Sequence, residues 1–300
     1  MKFPIGIQSF EQIIEEGYIY VDKTDIVYDL THNGKIYFLS RPRRFGKSLL
    51  VSTLENYYSG RKELFRGLAI EKMETEWNEY PVFHVDFNGS NFTKQGILEN
   101  RIGSYISDWE KQYALDSGSI ETDLGNRFMK VLKAAHEQTG RRAVVLVDEY
   151  DKPILDVLDI DANLENNHRN ILKAFYSVFK GADKHLQFVL LTGVTKFSQV
   201  SVFSGFNQPK DISMDARYEA LCGITQEEIE KYFTEPVSQM AVEYQCTQQE
   251  MYKLLKQQYD GYHFSDKLTD IYNPFSLLNA LDAKRIKDYW FSTGTPTYLI

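Results

Sequence analysis

Three groups of residues have the types and spacing to handle phosphate chemistry. The first is Ser40-Arg41-Pro42-Arg43-Arg44-Phe45-Gly46-Lys47-Ser48-Leu49-Leu50, which follows an apolar run and leads into a helical pattern. Backbone N–H groups at such a turn point at an anion, and the dipole of the helix adds partial positive charge. Arg41, Arg44, Phe45, Gly46, Lys47, Ser48 and Leu49 are therefore the expected nucleotide-binding residues. Lys47 would reach the β- and γ-phosphates, the Ser48 hydroxyl would sit on Mg2+, and Gly46 would let the backbone approach where a side chain would block it. The second group is Asp148-Glu149, about a hundred residues further on, at the end of Ala143-Val144-Val145-Leu146-Val147. Asp148 would bind Mg2+, mostly through water, and Glu149 would polarise an attacking water. Neighbouring side chains on a strand point to opposite faces, so the two carboxylates can have separate tasks. The third is Thr192, at the end of Phe188-Val189-Leu190-Leu191, where a polar group would face the γ-phosphate and the water; Thr195 is the second choice.

Each group alone has a plainer explanation. Gly-Lys-Ser recurs by chance at helix starts, acids at strand ends often cap a following helix, and a threonine there is commonly a local hydrogen-bonder. The pairing of Gly46-Lys47-Ser48 with Asp148-Glu149 at this spacing is what selects the chemical reading. One departure stands out, because the usual phosphate-loop pattern has Gly five residues before Gly46 and this chain has Arg41. Pro42 biases Arg41 toward an extended backbone, so Arg41 bears on loop geometry or nucleotide affinity. Arg41, Arg43 and Arg44 together could clamp phosphates or reach a neighbouring subunit's nucleotide, with at least one expected to pair with surface acids instead.

Such groups need a sheet to hold them. Up to about Asp215 short β-type runs (35–39, 82–87, 143–147 and 188–191) alternate with amphipathic stretches, the pattern of a parallel sheet with flanking helices. Leu50, Leu54, Tyr57 and Tyr58 share one helical face, as do Ile171, Leu172, Phe175, Tyr176 and Phe179. The strand carrying Asp148 is expected beside the strand that precedes the loop. Beyond residue 216 helix signals dominate: Thr225-Gln226-Glu227-Glu228 reads as a capping box, and Asn273-Pro274 as a cap before a first-turn proline. The expected organisation is an α/β domain over 1–215 and a small, mostly helical, lid-type domain over 216–300.

Composition narrows the remaining classes. In 300 residues, 43% hydrophobic and 14% aromatic content supports a substantial core, and 25% charge rules out a wholly disordered chain. The net charge of −8 argues against a generally basic nucleic-acid coat. Two cysteines, Cys222 and Cys246, cannot staple a fold of this size, and the six histidines show no metal spacing. His84 reads as a hydrogen-bonded interior side chain, and Tyr57, Tyr58, Tyr259 and Tyr262 as core rather than as platforms for bases. With no apolar run near a membrane span and no leader, a cytoplasmic setting is expected.

At this point the residues resemble a known family, the bacterial AAA-ATPase-like family, whose members are often fused to a C-terminal PD-(D/E)XK nuclease-like domain. The matching segments include Ile7-Gln8-Ser9-Phe10, Tyr20-Val21-Asp22-Lys23-Thr24, Arg41 to Leu49, Val147 to Pro153, Leu191 to Ser198, Leu221 to Thr225, Tyr259 to Tyr262, Tyr272 to Ser276 and Thr293 to Pro296. The family writes its loop with the same Arg41-Pro42-Arg43-Arg44-Phe45-Gly46-Lys47-Ser48. The resemblance implies an AAA-like P-loop fold, the cofactors ATP and Mg2+, Lys47, Ser48, Asp148 and Glu149 in the roles above, and Val21 to Thr24 near the nucleotide base. The nuclease-like region of longer relatives lies beyond Ile300, and Asp282-Ala283-Lys284 sits in a helical pattern, so nuclease activity is not expected.

Three functions fit these residues. The first is Mg-dependent ATP hydrolysis, with an arginine such as Arg169 or Arg217 completing a neighbour's site if a homo-oligomer forms. The second is a nucleotide-gated interaction module that turns over rarely. The third is a small-molecule kinase, which the acidic pair disfavours. The sequence names no protein or nucleic-acid target.

Overall fold

The structure, a computed structural model, describes residues 1–115, 122–196 and 209–289. The family segments at Phe197-Ser198 and Thr293 to Pro296 lie outside the described residues. Five parallel strands form the main sheet: β1 (Ile36–Ser40), β2 (Val82–Asp86), β3 (Ala143–Asp148), β4 (Leu186–Gly193) and the short β5 (Lys210–Asp211). Their order is β2-β3-β4-β1-β5. The expectation that β3 neighbours β1 is corrected here, because β4 lies between them and pairs with both. Strand order depends on pairing between segments far apart in the chain. β4 suits the interior place, since only Gln187 of its eight residues is not buried.

Period-two alternation assigns the two faces of this sheet. Phe83, Val85, Val145, Val147, Val189 and Leu191 face one core, with α4 (Ile97–Gln112), α5 (Leu124–Thr139) and α7 (Ala162–Gly181) on that side. Val144, Leu146, Phe188, Leu190, Tyr37 and Leu39 face the other, against α1 (Phe10–Glu15), α2 (Thr24–His32) and α3 (Lys47–Tyr58). The short α6 (Lys152–Leu155) follows β3 after a tight turn. With both faces covered, β3 is buried along its whole length, as its unbroken apolar run requires.

A third apolar cluster gathers α8 (Gln226–Tyr232), α9 (Thr234–Glu243), α10 (Gln248–Tyr259) and α11 (Pro274–Ala283), and Phe3, Ile5, Ile19 and Val21 of the N-terminal segment pack against it. Thr225 and Glu228 form the expected capping box on α8, and the Asn273 side chain caps α11 with Pro274 in its first turn. A two-residue antiparallel pair, β6 (Ile224–Thr225) with β7 (Ile271–Tyr272), ties the entry of α8 to the approach of α11. Among the described residues no helix is long and apolar enough to cross a membrane.

Candidate functional site

Parallel strands bring their C-terminal ends to one edge, and the phosphate-type residues collect there. Gly46 caps α3 with φ 90°, in the left-handed region that favours glycine, and Arg44 also has positive φ. This double reversal lets Lys47 and Ser48 begin the helix directly. Lys47 is 4% exposed, and its Nζ bonds the carbonyls of Arg41 (3.1 Å) and Pro42 (3.3 Å) and lies 3.2 Å from Glu149 Oε1. Ser48 Oγ donates to Asp148 Oδ2 at 2.5 Å, and Thr192 Oγ1 donates to Asp148 Oδ1 at 2.5 Å. Six of the expected residues, Gly46, Lys47, Ser48, Asp148, Glu149 and Thr192, thus meet through direct contacts or adjacency. The intervening β4 explains the geometry: Thr192 reaches Asp148 from the neighbouring strand, while Ser48 reaches it from α3, which packs across β3.

Glu149 leaves the strand with φ 55°, an unusual backbone for a side chain of this size, and its N–H bonds Asp148 Oδ1 at 3.1 Å. That turn aims its carboxylate at Lys47. Burial pushes the Glu149 carboxyl above the ordinary carboxylate range, and the Lys47 ammonium opposes that shift. Ser48 and Asp148 offer adjacent hydroxyl and carboxylate oxygens, a donor set of the hard kind that Mg2+ takes together with phosphate and water.

The other loop residues divide differently from the expectation. Arg41 is 1% exposed, and its guanidinium is committed to the carbonyls of Ser40, Ser213, Tyr218 and Glu219 and stacked 4.0 Å from the Phe264 ring centroid. Its side chain therefore joins the loop to the 213–219 segment rather than facing the loop's own ligand side. Phe45 is buried edge-on to Tyr262 and Phe264, and its carbonyl accepts from Gly223 N–H at 3.1 Å. Arg44 is exposed and lies over the Phe275 ring. Arg169 pairs with Glu165 and Arg217 with Asp215, each on its own segment. His84 Nδ1 lies 3.1 Å from Glu55.

Beside the loop is an apolar cleft of about 100 Å³, lined by Tyr20, Val21 and Lys23 of the N-terminal segment, Gly46 and Leu49 of the loop, and Cys222. Lys23 crosses to Glu228 of the α8 capping box, with Nζ–Oε distances of 2.5 and 2.6 Å. Asp22 does not face the cleft's ligand side with a free carboxylate; it accepts from Thr24 N–H and hydroxyl and from Ala69 N–H.

Sequence reasoning assigned no role to Asp151, which is fully buried behind Glu149 and accepts from the N–H groups of Val194 and Thr195 and from the Thr195 hydroxyl. Burial raises its pKa as well, with the Thr195 bonds opposing. Its sequence signal is an acid three residues after Asp148, within the Val147 to Pro153 segment that carries the family resemblance. Tyr150 locks the same loop from its hydroxyl to the Thr195 carbonyl, 2.9 Å away. Gly193 makes this possible, because a Cβ there would come within 2.5 Å of Tyr150 Cε1 and 2.8 Å of Asp151 Oδ1. Gly193→Ala is accordingly expected to destabilise the chain by about 1–3 kcal/mol by overpacking, read as a lower urea midpoint. An unchanged midpoint would mean that Tyr150 can move aside freely.

The profile of a family described as predicted AAA-ATPase (AAA-ATPase-like) matches residues 4–203. Over 300 residues the chain is 40% identical to an uncharacterized protein in the vnfD 5' region of Azotobacter chroococcum mcd 1, a match covering 100% of this chain and 55% of that protein. The chain thus spans about half the length of the curated relative it matches.

Proposed function

This chain belongs to the AAA-ATPase-like family of predicted AAA-ATPases, and we propose that it binds Mg-ATP at the β1–α3 loop and hydrolyses it. The observation that carries the reading is the double contact between loop and strand end: Ser48 with Asp148, and Lys47 with Glu149. Lys47 would leave the Arg41 and Pro42 carbonyls for the β- and γ-phosphates, and the N–H groups at the start of α3 would hold the phosphate oxygens. Ser48 and Asp148 would hold Mg2+, which when bound neutralises charge on the phosphates. Glu149, freed from Lys47, would accept a proton from the attacking water, and Thr192 would orient Asp148 from the adjacent strand. The base would enter the apolar cleft bounded by Val21, Leu49 and Cys222, between an ATPase domain over 1–215 and a lid-type domain over 216–300. A cytoplasmic setting and assembly into a homo-oligomer, with an arginine such as exposed Arg43 reaching a neighbour's nucleotide, belong to the same reading.

The test is nucleotide binding and phosphate release from Mg-ATP over a range of protein concentrations, with Lys47→Ala alongside. Binding and release by the parent, both lost in Lys47→Ala, support the reading, and a specific rate that rises with concentration supports assembly. No nucleotide binding by the parent would overturn it.

A second reading is favoured by one contact. The Lys47–Glu149 pair at 3.2 Å engages the two groups that hydrolysis needs separately. A chain that seldom breaks this pair would act as a nucleotide-gated switch, retaining nucleotide with little turnover.

The raised pKa of Glu149 has a consequence for hydrolysis. Only the carboxylate can take the proton, so turnover should fall as pH drops through a value above the ordinary 4.5. Initial rates at Mg-ATP well below saturation, which report the groups of the ligand-free chain, check this across an acid pH series. An acid limb at or below 4.5 would contradict the role given to Glu149.

A further inference from the structure

A second cavity, of about 330 Å³, opens at the edge of the sheet opposite the phosphate loop. Its position follows from the parallel strands, since Gln187 lies at the start of β4 and Tyr80 just before β2. Tyr57 and Tyr58 at the end of α3, and Tyr28 and His32 at the end of α2, form further walls. Both helices therefore turn their C-terminal ends, and with them the negative pole of the helix dipole, toward this space.

Two carboxylates, Glu74 and Glu76, add full negative charge. The Glu74 side chain is only 7% exposed, accepts the Tyr57 hydroxyl at one oxygen and accepts the Glu76 N–H at the other, 2.8 Å away. The groups of opposite sign are few. His32 is stacked on Tyr28 with its Nε2 3.8 Å from Glu74, and Arg141 stays at the rim, bonded to Asn78 Oδ1 at 2.7 Å with its guanidinium 5.7 Å from the Tyr80 ring centroid.

Three features beyond the acids favour a ligand. Tyr28, Tyr57, Tyr58 and Tyr80 line the cavity with four aromatic side chains, a kind of surface that attracts cations, and Arg141 already lies over Tyr80. Tyr58 is 3% exposed, and its buried hydroxyl meets no hydrogen-bond partner among the described residues. Gln187 lines the cavity at an irregularity of β4: Ala143 pairs with Leu186 and Val144 with Phe188, leaving Gln187 as the extra residue. Bulges of this kind re-aim side chains beside binding sites.

We propose that this cavity binds a small organic cation bearing an ammonium or guanidinium group, its charged head held by Glu74 and the tyrosine faces and its N–H accepted by the Tyr58 hydroxyl. The proposal does not depend on hydrolysis at the other edge. Its test is titration calorimetry on the full chain with agmatine and putrescine, using glutarate and 1,4-butanediol as anionic and neutral controls. Saturable binding of either cation, and of neither control, is expected. Glu74→Gln, which keeps the side-chain volume and an acceptor for Tyr57, should weaken that binding by about tenfold or more, as should Tyr80→Ala. Glu76→Gln, at an exposed position, should weaken it less and keeps the test valid if a buried variant fails to fold. No saturable binding of either cation, equal binding of glutarate, or cation binding indifferent to folded Glu74→Gln and Tyr80→Ala would overturn the proposal.

Discussion

Glu149→Gln is expected to abolish phosphate release from Mg-ATP while nucleotide stays bound. Glutamine preserves the volume of the side chain and can still accept from Lys47, whose Nζ lies 3.2 Å from Glu149 Oε1. It cannot take a proton from water. General-base groups contribute about 10²- to 10⁴-fold, so turnover should fall by at least about 100-fold. Binding should persist, because Gly46, Lys47 and Ser48 are untouched. It should even tighten slightly, since removing the carboxylate frees Lys47 from an ion pair that competes with phosphate. Filter-bound nucleotide and released phosphate, measured on the same preparations, separate the two quantities. Release at the parent rate would take the base role from Glu149, and loss of nucleotide would show that the carboxylate positions Lys47 instead. A parent that already holds nucleotide without turnover would place the chain in the switch class.

How much of this was legible in the sequence depends on how local each cause is. The loop and the start of α3 follow from an apolar strand, a left-handed glycine and a lysine in immediate succession, so they could be read directly. The capping box at Thr225 and Glu228 and the Asn273 cap are equally local. The place of β4 between β1 and β3 was not legible, because it arises from pairing between residues 43 to 153 apart. Thr192 could be singled out as a polar strand end, but its bond to Asp148 follows only from that strand order. Asp151 and Gly193 show the same limit. Nothing nearby in the chain says that the carboxylate will be buried against Thr195, or that a tyrosine ring will occupy the space of a missing Cβ. The cavity at the far edge joins four separate segments, of which only Tyr57 and Tyr58 carried a sequence reading, as core.

Arg41 is the sharpest case of a residue whose chemistry was visible and whose task was not, and its removal should be among the most damaging changes to the fold. Its type suits phosphate, and its place in the loop suggested a phosphate contact. Instead Nη1 bonds Ser213 O at 2.7 Å, Nη2 bonds Tyr218 O at 3.1 Å and Glu219 O at 3.4 Å, and the plane rests on Phe264. The Glu219 carboxylate in turn accepts from the hydroxyls of Ser265 and Thr269. Arg41→Ala would strand buried carbonyls, each costing about 1–3 kcal/mol unless water enters, and would open a void beneath Phe264. A loss of about 3–5 kcal/mol in unfolding free energy is expected. Arg41→Met, which restores the packing but not the hydrogen bonds, should recover only part of it. Arg41→Gly is the decisive variant, because it recreates the common loop pattern at that position. If Arg41 served phosphate alone, Arg41→Gly would weaken nucleotide binding and leave the urea midpoint in place. If it serves the 213–219 segment, the midpoint falls as far as in Arg41→Ala, and weaker nucleotide binding follows because the loop that presents its N–H groups to phosphate is no longer anchored to that segment.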